Sequence, residues 1–428
     1  MAYWRFPYPF VWDNSGESLG YIGNTANLIE RQKINAMYQK LQGIIIRRRR
    51  QELNWSQTTL CAGICAVSHL SKIEQGKAEG SPEVLRLLLQ RLGVEWRDDP
   101  DFCLEASAWF EEWYDRLFSG ENIEKLESAL AQRQEEFQNS PFFLDWLMLT
   151  WLTTGNPPEN VKDYVSVMDD RQYNLYLCMT EQFQELLHVS NRSYFLLAAG
   201  TRPWWRGDYE KAAICFQRGM DQAYREGSLR ILMKCCGNLG TCYSCLNQLE
   251  KTRECYAAAS RMVRSLGRLK DMAIMAYNLA TTELQLGLPE DALRHLLEQP
   301  WNEAVYFQKL AICYEQLGQK DKSRSALNQA LTAPMTVLLD GTPGETEEIR
   351  GIFKQICELI RIRLDDANYL KNPEYGNILI ACIRSMKKQL PMGFVQFHAG
   401  WLEEWYVANR QYHKAHEVLR TFFINRTK

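Results

Sequence analysis

Residues 56–93 read SQTTLCAGICAVSHLSKIEQGKAEGSPEVLRLLLQRLG, and the punctuation inside this stretch decides how the first part of the chain folds. Ser56 can accept a hydrogen bond from a backbone N–H two or three residues on, so it starts a short helix running through Ala62. Gly63 supplies the turn that follows. A second short helix spans Val67 to Gln75, turns Leu70 and Ile73 inward and stops at Gly76, a residue suited to the left-handed C′ position. Ser81-Pro82-Glu83 opens a third, with a capping hydroxyl, a proline at the first helical position and an acid at the positive helix end. It carries Leu85, Leu88, Leu89 and Leu92 to Gly93. Upstream, Ile46, Arg50 and Leu53 recur at helical spacing and make Leu41 to Asn54 an amphipathic helix. Short helices joined by a three- to four-residue turn describe a helix-turn-helix unit.

Further outward, the charge supports that reading. The chain has 428 residues and a formal net charge of −2, but residues 41–97 carry +4 and residues 98–428 carry −7. A small basic module on a long acidic body is the layout of a nucleic-acid reader with a separate sensing part. With Leu70 and Ile73 inward, the outer face of the Val67 helix presents Val67, Ser68, His69, Ser71 and Lys72, which can reach base edges in a major groove. Gln57, Arg47 and Arg48 can donate to phosphates.

Ser56-Gln57, Leu60, Gly63-Ile64-Cys65 and Leu70-Ser71-Lys72-Ile73-Glu74-Gln75-Gly76 resemble the core motif of the Xre-type helix-turn-helix family, at that family's spacing. Arg47 and Arg50 match its two basic first-helix positions. The resemblance implies that Arg50 pairs with Glu74 inside the domain, a structural role. Arg49 departs from it, standing where the family usually places an apolar residue.

The acidic part is a repeat array. Gly207-Asp-Tyr-Glu-Lys-Ala212, Asn247-Gln-Leu-Glu-Lys-Thr252, Gly287-Leu-Pro-Glu-Asp-Ala292, Gly318-Gln-Lys-Asp-Lys-Ser323 and Arg410-Gln-Tyr-His-Lys-Ala415 share one pattern. The first four small residues lie 40, 40 and 31 positions apart, and Phe216, Tyr256, Leu296, Leu327 and Leu419 stand four positions after each small residue. The pattern resembles the tetratricopeptide repeat, in which a small residue of one helix interlocks with bulky ones of its neighbour. The fold class expected is all-α: a helix-turn-helix domain followed by a right-handed superhelix of tetratricopeptide-like hairpins. Residues 102–200 read as degenerate hairpins, split at Ser119-Gly120 and at Gly155-Asn156-Pro157-Pro158, with Asp98 to Asp101 as the joint to the first domain.

Asn238 and Asn278 occupy one repeat position, fourteen residues before Thr252 and Ala292. An Asn side chain offers one acceptor and two donors, enough to pair with both backbone groups of an extended peptide. Lys234, Thr241, Tyr277 and Gln308 fall at neighbouring inward positions. Two solvated polar residues that merely coincide are the plain alternative. Peptide-binding tetratricopeptide domains often carry such a residue at this position.

An Xre-type helix-turn-helix followed by such repeats is similar to the RRNPP group of Gram-positive quorum-sensing regulators. That resemblance implies a cytoplasmic, usually homodimeric transcription regulator. Residues 41–97 would bind double-stranded DNA, and residues 98–428 would form the sensor and dimerisation domain for a short signalling peptide that modulates operator binding. The alternative is a tetratricopeptide scaffold that sequesters a partner protein and carries a vestigial helix-turn-helix. Residues 1–40 stand outside this architecture. They read either as an artefactual extension ahead of Met37 or as an aromatic arm carrying Trp4, Phe6, Tyr8 and Trp12.

Catalytic motifs are not found: the chain has no P-loop, dinucleotide fingerprint, zincin motif or nucleophile elbow, and a non-enzyme without cofactors is expected. Cys242 and Cys245 have CxxC spacing beside Cys235 and Cys236, but four ligands on successive turns of one helix cannot close a tetrahedron, so core thiols are expected and no metal. Thirteen cysteines, an odd number spread among apolar neighbours, fit a reduced, cytosolic protein. Phe142 to Leu152, broken by Asp145, is too short to span a membrane.

Overall fold

The computed structural model describes residues 24–121, 123–265, 269–335 and 347–424. The aromatic residues of the N-terminal arm lie outside them. The described residues are helical, without a strand among them. The chain divides into two compact units, the first ending at Ser190 and the second beginning at Asn191.

The first unit opens with α1 (Asn24–Glu52), α2 (Gln57–Cys61), α3 (Val67–Glu74) and α4 (Pro82–Arg91). Helix α1 starts well before Leu41, because neither Pro nor Gly interrupts the chain between Asn24 and Gln42. Then follow α5 (Pro100–Ser119), α6 (Glu124–Gln132), α7 (Gln134–Gln138), α8 (Phe143–Thr154), a 3-10 segment (Val161–Val167), α9 (Asp170–Met179) and α10 (Phe183–Val189). Asp99 caps α5 by accepting from the Phe102 N–H at 3.0 Å, Pro100 sits at its first position, and Gly120 closes it in the left-handed conformation. Phe102, Phe110, Phe137 and Phe142 are fully buried, and the Phe110 and Phe142 rings stack at 5.6 Å. The regular hairpin expected after Gly155 is not formed. Pro157 and Pro158 disfavour an α-helix there, and a left-handed Asn160 leads into the 3-10 segment instead.

The second unit contains α11 (Ser193–Trp205), α12 (Tyr209–Glu226), α13 (Leu229–Cys245), α14 (Leu249–Ser265), α15 (Leu269–Gln285), α16 (Pro289–Glu298), α17 (Ala304–Gln316) and α18 (Lys320–Thr332). After these come α19 (Glu347–Asp365), a 3-10 turn (Tyr369–Lys371), α20 (Pro373–Gln389), α21 (Met392–Ala408), α22 (Tyr412–Leu419) and a π-helical turn (Arg420–Ile424). Successive helices from α11 to α18 pair as hairpins, as do α21 and α22.

The repeat register is visible atom by atom. The first residue of every aligned motif, Gly207, Asn247, Gly287, Gly318 and Arg410, has positive φ and turns the chain between the two helices of a hairpin. At each turn the next residue's N–H reaches back five positions: Gln248 to Tyr243 O at 2.9 Å, Leu288 to Glu283 O at 2.8 Å, Gln411 to Tyr406 O at 2.8 Å. The small residues Ala212, Thr252, Ala292 and Ser323 are completely buried. Twelve residues earlier stand Gly200, Gly240, Ala280 and Ala311, on the partner helix of each hairpin. A Cβ on Gly200 would lie 2.5 Å from the Phe216 ring, and one on Gly240 would lie 2.6 Å from the Tyr256 ring. Ser323 Oγ donates to Ala311 O at 2.7 Å. At the C-terminal hairpin Val418, not Leu419, is the buried residue.

Candidate DNA-binding and ligand-binding sites

In the first unit, local signals and a buried ion pair together set the α2–α3 geometry. Ser56 Oγ accepts from the Thr59 N–H at 3.0 Å, and Gly63 turns the chain at φ 73°. At the end of α3, Gly76 is left-handed, and the Lys77 N–H donates to Lys72 O at 2.8 Å, so the free helix carbonyls are used. Arg91 of α4 donates to Leu60 O at 2.9 Å and also to Ala62 O, holding the end of α2. Arg50 forks onto Glu74, Nε to Oε1 at 2.6 Å and Nη2 to Oε2 at 2.8 Å, and donates to Trp55 O at 2.8 Å. Glu74 is only 3% exposed, so this pair ties α1 to α3. Gly43 lets the two helices touch: a Cβ there would lie 2.3 Å from Ile73 O.

With Leu70, Ile73 and Glu74 buried, the face of α3 turned to solvent carries exposed Val67, Ser68 and Lys72 and half-buried His69 and Ser71. Ser71 Oγ accepts from Gln75 Nε2 at 3.2 Å and keeps a lone pair and its own proton. Arg47 is exposed and makes no ion pair among the described residues. Arg48, by contrast, donates to Glu52 at 2.9 Å and to the Tyr164 hydroxyl at 3.4 Å. Gln57 Nε2 donates to Glu74 at 2.7 Å, leaving its second N–H and its backbone for any phosphate. Arg49 is exposed and pairs with Glu52 at 2.9 Å, so its polarity does not disturb packing.

In the second unit, the positions singled out in sequence divide. Thr241, Tyr277 and Asn278 line a cavity of about 50 Å³ together with Trp204, Thr281, Gln285, Lys309 and residues of α21. Asn278 Nδ2 donates to Thr241 Oγ1 at 3.3 Å, and Thr241 lies 3.0 Å from the Tyr256 hydroxyl. Asn238 is half-buried and Lys234 exposed, and neither lines the cavity. Gln308 is completely buried. Its Nε2 lies 3.3 Å from His398 Nε2, and its Oε1 has no hydrogen-bond partner among the described residues. His398 Nδ1 sits 2.9 Å from Phe394 O, which fixes the proton on Nδ1 and lets Nε2 accept from Gln308. Burial first, and then the charge of Lys309, push the His398 pKa down to about 3, so the ring is neutral.

Lys309 escaped the sequence reading. It is 1% exposed, lies 3.1 Å from the centre of the Phe397 ring and 5.5 Å from that of Tyr277, and has no carboxylate partner among the described residues. The available signal was a charge inside the otherwise apolar run Leu310 to Cys313 and Ala304 to Tyr306. Glu283, by contrast, is paired with Arg253 and His295, and Arg363 with Glu315. All thirteen cysteines are free thiols, with Cys235, Cys236 and Cys242 buried along α13.

A family described as helix-turn-helix matches residues 46–98. No curated protein matches the chain. Among solved structures, Rap protein complexed with competence and sporulation factor is similar at a TM-score of 0.53 and 14% identity, over 75% of this chain and 97% of that one. Bacillus thuringiensis PlcR in complex with the peptide PapR7 and DNA aligns at a TM-score of 0.29 and 13% identity, over 67% and 99%. No described helix is long and apolar enough to cross a membrane. The chain thus carries an Xre-type helix-turn-helix domain, a DNA-binding module, at residues 46–98, and its helical-repeat fold is similar to that of Rap.

Proposed function

We propose that the protein is a transcription regulator in which α3 reads the major groove and the repeat unit takes a short signalling peptide that changes operator affinity. The observation that carries the reading is the outward face of α3, with Val67, Ser68 and Lys72 exposed while Arg50 and Glu74 hold its back. Residues near the start of such a helix specify bases, and Arg47 and Gln57 flank it as phosphate donors. Residues 41–97 serve as the DNA-reading domain, and sensing lies within residues 98–428. Rap, whose fold the repeats resemble, is complexed with competence and sporulation factor, and the cavity lined by Thr241, Tyr277 and Asn278 supplies polar groups for a peptide backbone. The protein acts in the cytoplasm as a homodimer, without catalysis or cofactor.

The test is a binding selection from random duplex DNA at one stated salt concentration, run in parallel for the wild type and for Ser68→Ala, Ser71→Ala and Lys72→Ala combined. The wild type is expected to enrich an inverted repeat, and the triple variant to lose that enrichment while keeping its thermal stability. Equal enrichment by both proteins would remove α3 as the reading element. A folded wild type that enriches no motif would leave two readings, DNA binding that needs the peptide first or the scaffold.

A further inference from the structure

Resting on the peptide reading above, a narrower assignment follows from two unanswered donors in one cavity. The Lys309 amine is nine-tenths buried, indeed only 1% exposed, and the rings of Phe397 and Tyr277 are its neighbours instead of a carboxylate. Trp204 lines the same cavity, and its buried indole N–H has no hydrogen-bond partner among the described residues. An isolated buried ammonium is costly unless it is paired, and an indole nitrogen can only donate. Burial accordingly holds the Lys309 ammonium well below the ordinary lysine range, a penalty that an anion arriving in the cavity would relieve. Arg363 and Glu283 of this unit, by contrast, have counter-ions, Glu315 at 3.0 Å and Arg253 at 3.0 Å. The cavity, about 50 Å³, admits a small planar acceptor and not a whole side chain of aromatic size. Thr241, Asn278, Thr281 and Gln285 also line it, so its wall is partly polar.

We infer that this cavity is a carboxylate subsite of the peptide site, in which Lys309 and Trp204 anchor a carboxylate of the bound peptide, either its C-terminal group or an Asp or Glu side chain.

The two sources are separated by affinity capture on the full-length protein from four random heptapeptide pools. The pools carry either a free C-terminal acid or a C-terminal amide, each with or without Asp and Glu. Capture that disappears with the amide identifies the terminal carboxylate, and capture that disappears without Asp and Glu identifies a side chain. Either result is expected to fall at least tenfold in Lys309→Met, which keeps the volume and drops the charge. That variant is expected to melt no lower than the wild type, because nothing ionic is broken when an unpaired buried charge is removed. Trp204→Phe, which removes the indole donor and part of the ring, gives the same comparison should Lys309→Met fail to fold; a several-fold loss is expected. Undiminished capture of the amide pool lacking Asp and Glu, or equal capture of free-acid peptides by the wild type and the folded variants, would overturn the subsite and leave peptide binding standing. Capture from none of the four pools would instead remove the peptide reading, and this assignment with it.

Discussion

Arg50 and Glu74 are the residues on which the helix-turn-helix unit turns. A carboxylate that is 3% exposed and receives two N–H groups from one guanidinium, plus one from Gln57, is satisfied only while all three are present. Removing one partner of a buried pair leaves the other charge uncompensated, at a cost of about 3–5 kcal/mol. Arg50→Met is therefore expected to lower stability by about 3 kcal/mol, read as a reduced denaturant midpoint, and to weaken DNA binding through misplacement of α3. A variant as stable as the wild type would mean that the pair contributes specificity alone. This pairing was expected from the resemblance to the Xre-type family, whose basic first-helix position Arg50 matches. Lys309 was not. The Asn238 and Asn278 register pointed to α13 and α15, of which Thr241, Tyr277 and Asn278 line one cavity, yet the lysine one position beyond Gln308 is set by Phe397 of α21 packing on it, and nothing local to α17 announces a helix so far along the chain.

At the scale of elements, the hairpin turns obey one rule with two exceptions in residue type. Gly207, Gly287 and Gly318 take the left-handed conformation without a Cβ, whereas Asn247 and Arg410 take it with one. Asn tolerates this region better than arginine does. Arg410→Gly is expected to stabilise the protein by about 1 kcal/mol, seen as a raised Tm, provided the α21–α22 turn is otherwise unchanged. The hairpin interior behaves in the opposite sense. Gly240→Ala places a methyl 2.6 Å from the Tyr256 ring, whose hydroxyl is held by Thr241, and is expected to cost about 1–3 kcal/mol. Chemical denaturation checks both. The interlock was readable in the sequence, since the small residues and the bulky residues four positions on recur together. The segment between Asp98 and Ser190 was less so: its two prolines forbid the second regular hairpin, and the aromatic packing of Phe102, Phe110, Phe137 and Phe142 follows no repeat.

For the whole molecule, the uneven charge makes a further expectation. A basic segment of +4 at residues 41–97 can supply donors to phosphates, and each phosphate neutralised makes affinity fall with salt by roughly one further power of the ion concentration. Arg47→Ala is expected to reduce the salt slope by about one and to weaken all duplexes alike, whereas Arg48, committed to Glu52 and Tyr164, is expected to change it less. Parallel titrations against one selected and one scrambled duplex distinguish the two. Regulation then requires that peptide occupancy and DNA affinity share a coupling free energy, typically about 1–3 kcal/mol, or about 5–150-fold in affinity. Because such coupling is reciprocal, either ligand reports it.

The most direct measurement is the Kd of the full-length protein for its selected duplex, at one fixed salt concentration, with and without a saturating heptapeptide recovered from the capture experiment. Peptide-gated DNA binding predicts a change of at least about fivefold in either direction, abolished when Lys309→Met prevents the peptide from binding. An unchanged Kd while the peptide is demonstrably bound would contradict it.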